Sequence, residues 1–152
     1  MGVLYDYFRA ADETAVAELM TANRGGSPVT SQAADGVDAK GIEPTVTVGR
    51  LIASVLDVPW RIDLVESGEI WPADDDEESE GPWVVSLGDQ VRDALAGISD
   101  ARLPELAVWW SQTEELAWSA DLEFIASVLT DLVGLARRAV TAGDHLYCWT
   151  SL

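Results

Sequence analysis

His145 and Cys148 are the only histidine and the only cysteine in this chain of 152 residues, and they stand three positions apart. A cysteine paired with a histidine is how a thiolate nucleophile is made, the imidazole taking the thiol proton. The segment that carries them, HLYCWTSL, is aromatic and apolar and predicts a strand. In a strand an odd separation sends two side chains to opposite faces, so these two do not form a local dyad. A Ser–His–acid arrangement could use His145, but the chain has no Gly-x-Ser-x-Gly turn to present the serine. His145, beside Gly143-Asp144, therefore reads as a strand-end histidine, and Cys148 as a small buried hydrophobe.

Metal chemistry is equally thin. Zinc draws on several Cys or His ligands, and this chain has one of each. The tract Asp74-Asp75-Asp76-Glu77-Glu78-Ser79-Glu80 alternates Asp74, Asp76, Glu78 and Glu80 as the early ligands of a calcium loop alternate. Ser79 stands where that loop needs glycine and Val85 where it needs its closing glutamate, so only weak, exposed cation binding is expected. Paired carboxylates could hydrolyse a glycoside, but among 27 acidic residues some pair falls at any chosen distance. No Walker or dinucleotide glycine motif occurs. The sequence assigns no catalytic residue, no cofactor and no metal site, and it leans away from an enzyme.

Charge says more. The 27 acids face 9 bases, a formal charge of -18. Nucleic acid is an unfavourable partner, because its binding needs Lys and Arg to displace counterions. An anionic membrane surface is unfavourable for the same reason. A basic protein would be attracted, and its encounter accelerated at low salt. Charge of this size also serves solubility alone. No apolar run approaches the length that spans a bilayer, and MGVLYDYFRAAD has neither the basic region nor the cleavage site of a secretory leader. The expectation is a soluble cytoplasmic protein. Abundant Ala and a single lysine, Lys40, match the codon bias of a GC-rich genome.

The elements that would position these residues follow from periodicity. Gly2 to Arg9 alternates as a strand with both faces apolar. Asp12 can cap a helix whose inner face is Val16, Leu19 and Met20. Gly25 to Gly41 reads as a long loop. Pro44 opens a helix over Thr45 to Leu56, with Val48, Leu51, Ile52, Val55 and Leu56 on one stripe. Trp60 to Val65 reads as a short strand, Glu66 to Pro82 as a solvated acidic loop, and Trp83 to Val85 as extended chain. Ser86 and Asp89 match a capping box before Val91, Leu95 and Ile98. Pro104 starts a helix with Leu106, Trp110 and Ala117 inward. Ser119 can cap the longest helix, whose stripe runs Leu122, Ile125, Leu129, Leu132, Val133, Ala136 and Val140 to Gly143.

The predicted fold is α+β, a single domain over residues 1–152. Its N- and C-terminal strands are central in a small mixed sheet layered with about five helices. An α/β three-layer sandwich is the alternative.

This layout resembles the YfbM-like family of uncharacterised bacterial proteins. The likeness runs through Met1-Gly2-Val3-Leu4-Tyr5 to Phe8, through WVVSLGDQVRDALAGISDARL, and through LTDLVGLARRAVTAGDHLYCW, together roughly half the chain. That family tends to carry a Lys-Trp segment with a nearby His. Here Asp38-Ala39-Lys40-Gly41-Ile42-Glu43 keeps an Asp and a Lys without the Trp or the His. The resemblance implies a mixed sheet layered with helices. It carries over no activity.

Seven tryptophans add a binding signal. Trp60, Trp71 and Trp83 each adjoin a proline and would anchor loops. Trp109 and Trp110 diverge by about 100° on a helix, so one of them faces a partner, a second layer or water. The first expected function is therefore a non-enzymatic protein-binding module. It would present carboxylates and aromatic residues to a basic partner, as immunity proteins and other inhibitors do. Its candidate contacts are Asp74, Asp75, Asp76, Glu77, Glu78 and Glu80, with Trp71, Trp83 and Trp109. The alternative is a small enzyme or ligand-binding domain with a pocket under residues 25–43, using Asp35, Asp38, Lys40, Glu43 and His145. Self-association through the outward tryptophan of the 109–110 pair is a third reading.

Overall fold

The structure is a computed structural model that describes residues 2–66, 68–72, 80–118 and 121–152. Its centre is the pairing of the two ends of the chain. β1 (Leu4–Ala10) lies antiparallel to β5 (His145–Ser151), in register from Leu4 opposite Ser151 to Ala10 opposite His145. β2 (Gly36–Asp38) pairs with the outer side of β1. β4 (Trp83–Ser86) pairs with β5, and β3 (Glu69–Trp71) with β4. Among the described residues the sheet has five strands in the order β2-β1-β5-β4-β3.

Strand alternation splits the core in two. Tyr7, Val37, Leu146 and Cys148 point into the larger part. There they meet α2 (Gly49–Leu56), α3 (Asp89–Ala96), α4 (Leu103–Ser111) and α5 (Leu122–Ala142). Phe8, Val84, Tyr147 and Trp149 point the other way, onto Val16 and Met20 of α1 (Glu13–Ala22). The α5 stripe explains the long helix. Ile125, Val128, Leu129, Leu132, Val133, Leu135, Ala136 and Ala139 are all buried, at helical spacing. Burying about eight apolar side chains is what holds this helix to the sheet, at ~1.5–3 kcal/mol for a fully buried Val, Leu or Ile.

The α+β class and the central place of the terminal strands hold. Several details differ. Each pairing is antiparallel, so the sheet is not mixed. Residues 62–64 form a 3₁₀ turn where a strand was expected, with Ile62 exposed. Short strands interrupt both expected loops, β2 within 25–41 and β3 within 66–82. Pro44–Val48 is a π-helical turn leading into α2, capped by Glu43. The Ser86–Asp89 capping box does not form: α3 is entered through Gly88, at φ 82°, with no side-chain cap. Asp121 caps α5, in the place expected of Ser119. Ala117 lies beyond α4 and is exposed. Leu122 and Val140, at the two ends of the α5 stripe, are exposed as well.

Candidate functional site

The feature that gathers most chemistry is a groove at the end of the sheet where β4 leaves and β5 begins. Two adjoining cavities, of about 300 and 550 Å³, share Glu13, Glu66 and Ser86. The first also takes in Asp12, Asp89, His145 and Tyr147. The second extends past Glu69 to Ile70 and Pro72 along β3. Five carboxylates thus line one continuous depression, with no Lys or Arg among its described lining residues.

Local rules put each acid there. Asp12 is the N-cap of α1, accepting the Ala15 N–H at 2.8 Å, and Glu13 opens that helix. Asp89 opens α3. Negative side chains favour the positive ends of helices, so these three are stable where they stand. Glu66 lies against Gly88. Gly88 has a φ of 82°, which favours glycine, and a Cβ there would lie 3.0 Å from the Glu66 carboxylate and press it away.

His145 meets Asp89 at 2.6 Å through Nδ1, and Arg92 reaches the same Asp89 oxygen at 3.4 Å. Ser86 lies in the same cavity, but its hydroxyl donates to Glu66 at 3.5 Å and makes no hydrogen bond to His145. His145 and Cys148 face opposite sides of the sheet, as their spacing requires. Cys148 is fully buried on the helix side, and burial pushes its thiol far above the usual range. The groove's field is visible on Tyr147. Burial first, then the charges of Glu13, Asp12, Asp89 and Asp144, push its phenol up to about 12.

The residues of the expected ligand pocket divide among four places. Asp35 holds Arg9 at 2.8 Å and Arg138 at 2.7 Å, and these cations keep its carboxyl below the usual range, the Arg138 hydrogen bond most of all. Asp38 is exposed on β2, opposite Asp6. Lys40 and Glu43 share a cavity of about 620 Å³ with Tyr5, Gly41, Trp118 and Phe124, at the opposite end of the sheet from the groove. His145 belongs to the groove. The start of the 25–41 segment packs on the α1 side, while Val37 and Ala39 are buried among the helices on the other face. Ser27 donates to the buried Asp6, and Trp149 donates to Gly25 O at 3.0 Å.

Of the acidic tract, Glu80 is exposed, while Asp74, Asp75, Asp76, Glu77 and Glu78 lie outside the described residues. The tract joins β3 to β4, the strands that supply Glu69 and Ser86 to the groove. Trp71 and Trp83 are half-buried and rest on Gly25 and Gly81. Trp110 is buried and Trp109 is 39% exposed, facing a cavity of about 430 Å³ with Trp60, Val58 and Arg50.

Sequence reasoning did not single out Asp12, Glu13, Glu66, Glu69 or Asp89 as a group. Asp12, Glu13 and Asp89 stand at helix starts, Glu69 opens β3 and Glu66 precedes it, and no spacing rule joins positions 12, 66 and 89. Nor did it find Tyr5, Trp118 and Phe124 as one wall. No family model, no curated protein and no solved structure matches this chain.

Proposed function

We propose that this chain is a non-enzymatic binding module that takes a basic protein partner at the groove between α1, β3 and the start of α3, as an inhibitor or immunity-type protein would. One observation carries the reading: five carboxylates, Asp12, Glu13, Glu66, Glu69 and Asp89, line a continuous depression whose described walls include no Lys or Arg. A partner's arginine would find acceptors for a bidentate pair there. The six carboxylates between Asp74 and Glu80 add to the net charge of -18 that would steer a basic partner's encounter. His145 and Ser86 do not form a nucleophile–base pair, since the Ser86 hydroxyl donates to Glu66 and makes no hydrogen bond to His145. The likeness to the YfbM-like family enters as kinship of fold, supported by the α5–Gly143-Asp144–β5 connection.

The test is capture from a lysate of the native host at low and high salt. The bait is the parent or a variant with Glu13, Glu66, Glu69 and Asp89 changed to their amides. A basic protein retained at low salt, released by salt and lost with the amide variant supports the reading. Recovery of no such protein, or equal recovery with both baits, rejects it.

A further inference from the structure

The cavity of about 620 Å³ beside Lys40 has a different chemistry from the groove. Its volume falls in the range of small-molecule sites, ~300–1,000 Å³. Its walls are mainly apolar and aromatic, from Tyr5, Trp118, Phe124 and Val3. Trp118 is 61% exposed, an unusual state for the most costly side chain to leave in water. Its position is nonetheless defined. The ring lies over Gly41, where a Cβ would come within 2.9 Å of two ring atoms and where φ is 82°. One part of the indole is therefore seated on backbone while much of it stays open beside the cavity.

The polar groups of this cavity are unequal. Glu43 has both carboxylate oxygens engaged, accepting from Thr45 N at 2.6 Å and Val46 N at 2.7 Å. Lys40, the only lysine of the chain, makes no ion pair with the described residues. Its stem runs along Gly2, whose Cβ would lie 3.6 Å from Lys40 Cε. The Tyr5 hydroxyl has no hydrogen-bond partner among the described residues. What the walls leave unsatisfied is the Lys40 ammonium and the Tyr5 hydroxyl, on residues that share the cavity with Trp118 and Phe124. The net charge of -18 penalises each further negative charge on a ligand, which disfavours nucleotides and other polyanions.

We infer that this cavity binds a small planar aromatic monocarboxylate, its ring against Trp118 and Phe124 and its carboxylate on Lys40 and the Tyr5 hydroxyl. The assignment does not depend on the acidic groove, which lies at the other end of the sheet.

Binding of 2-naphthoate, 2-naphthylmethanol and 2-naphthylmethylammonium is measured by calorimetry at 0.15 M salt, with the Trp118 indole N–H followed by NMR. The naphthoate should saturate one site, shift the Trp118 signal, and bind about tenfold more tightly than the alcohol, the worth of one charge-assisted hydrogen bond. Lys40→Met should erase that preference and leave the alcohol's affinity unchanged. Trp118→Ser should weaken both ligands. Both side chains are exposed, so folding should survive, and the Trp118 shift in the parent reports on the site regardless. The amide variant of the groove should bind naphthoate as the parent does, so the two readings fail separately. No saturable binding, an unmoved Trp118 signal, equal or tighter binding of the alcohol or the ammonium, or a preference that survives Lys40→Met would each overturn the inference.

Discussion

The indole N–H of Trp110 donates to the carbonyl oxygen of Thr47 at 2.9 Å, inside the core. Thr47 lies in the π-helical turn before α2, so this hydrogen bond ties α4 to the entry of α2. Trp109, next in the chain, has no such role and faces outward.

Trp110→Phe should therefore cost about 2–4 kcal/mol, from lost buried ring volume and a lost buried hydrogen bond. Trp109→Ser should stay within ~0.5 kcal/mol of the parent. Urea midpoints for the two variants check the contrast. A similar loss in both would mean that Trp109 is buried in solution, as in a dimer.

Asp6 is 3% exposed, and its carboxyl is held above the usual range. Burial is the leading cause; the Ser27 hydrogen bond works against it and Asp38 opposite adds to it. A raised folded-state value means that the folded chain binds this proton more tightly than the unfolded chain. The contribution of Asp6 is thus most favourable below the unfolded carboxyl value, ~3.9, and declines as pH rises through the folded value. Asp6→Asn can still accept from Ser27 and removes that decline. The variant should gain on the parent between pH 3 and pH 7 in denaturant titrations. A gap that does not vary with pH would refute the assignment.

Asp35 behaves in the opposite sense. It joins Arg9 of β1 to Arg138 of α5, while Arg9 also reaches Asp144 at 2.6 Å. Its lowered carboxyl value gives stability that is present above ~3.9 and lost as pH falls through the folded value. The side chains are partly exposed, so Asp35→Asn should cost no more than about 1 kcal/mol at neutral pH. The deficit should shrink in acid and at high salt. A constant deficit would point to packing instead of charge.

Gly41→Ala should cost about 1–2 kcal/mol, because a Cβ is disfavoured at positive φ. It should also displace Trp118, whose ring lies 2.9 Å from the position of that Cβ. Placing the same change in a Trp118→Ser background should relieve the steric part and leave the backbone part. If both backgrounds lose equally, the ring does not rest on Gly41.

Much of the architecture was legible in periodicity. β1, β5, α1 and the α5 stripe bury what their spacing requires, since a helix or strand of this composition has one stable way to hide its apolar side. His145 and Cys148 could be separated from spacing alone, because strand alternation is a local rule. Elements that owe their form to neighbours were not legible. Residues 62–64 alternate like a strand yet turn, and β3 forms within an acidic stretch because β4 offers it a ladder. Trp109 and Trp110 could not be ranked without knowing where α4 lies against the turn at Thr47.

The sequence by itself determined the class of the fold, the sign and size of the charge, and the scarcity of reactive residues, because these depend on composition and on neighbours along the chain. Only the tertiary structure decided which carboxylates stand together and which aromatic residues share a wall with Lys40. Asp12, Glu66 and Asp89 are far apart in sequence and become one surface only when the start of α1, the residues before β3 and the start of α3 meet at the same edge of the sheet. Tyr5, Lys40 and Trp118 meet because β1, the residues after β2 and the approach to α5 converge at the other. Long-range proximity of this kind follows from the packing of the whole core, and no local pattern encodes it.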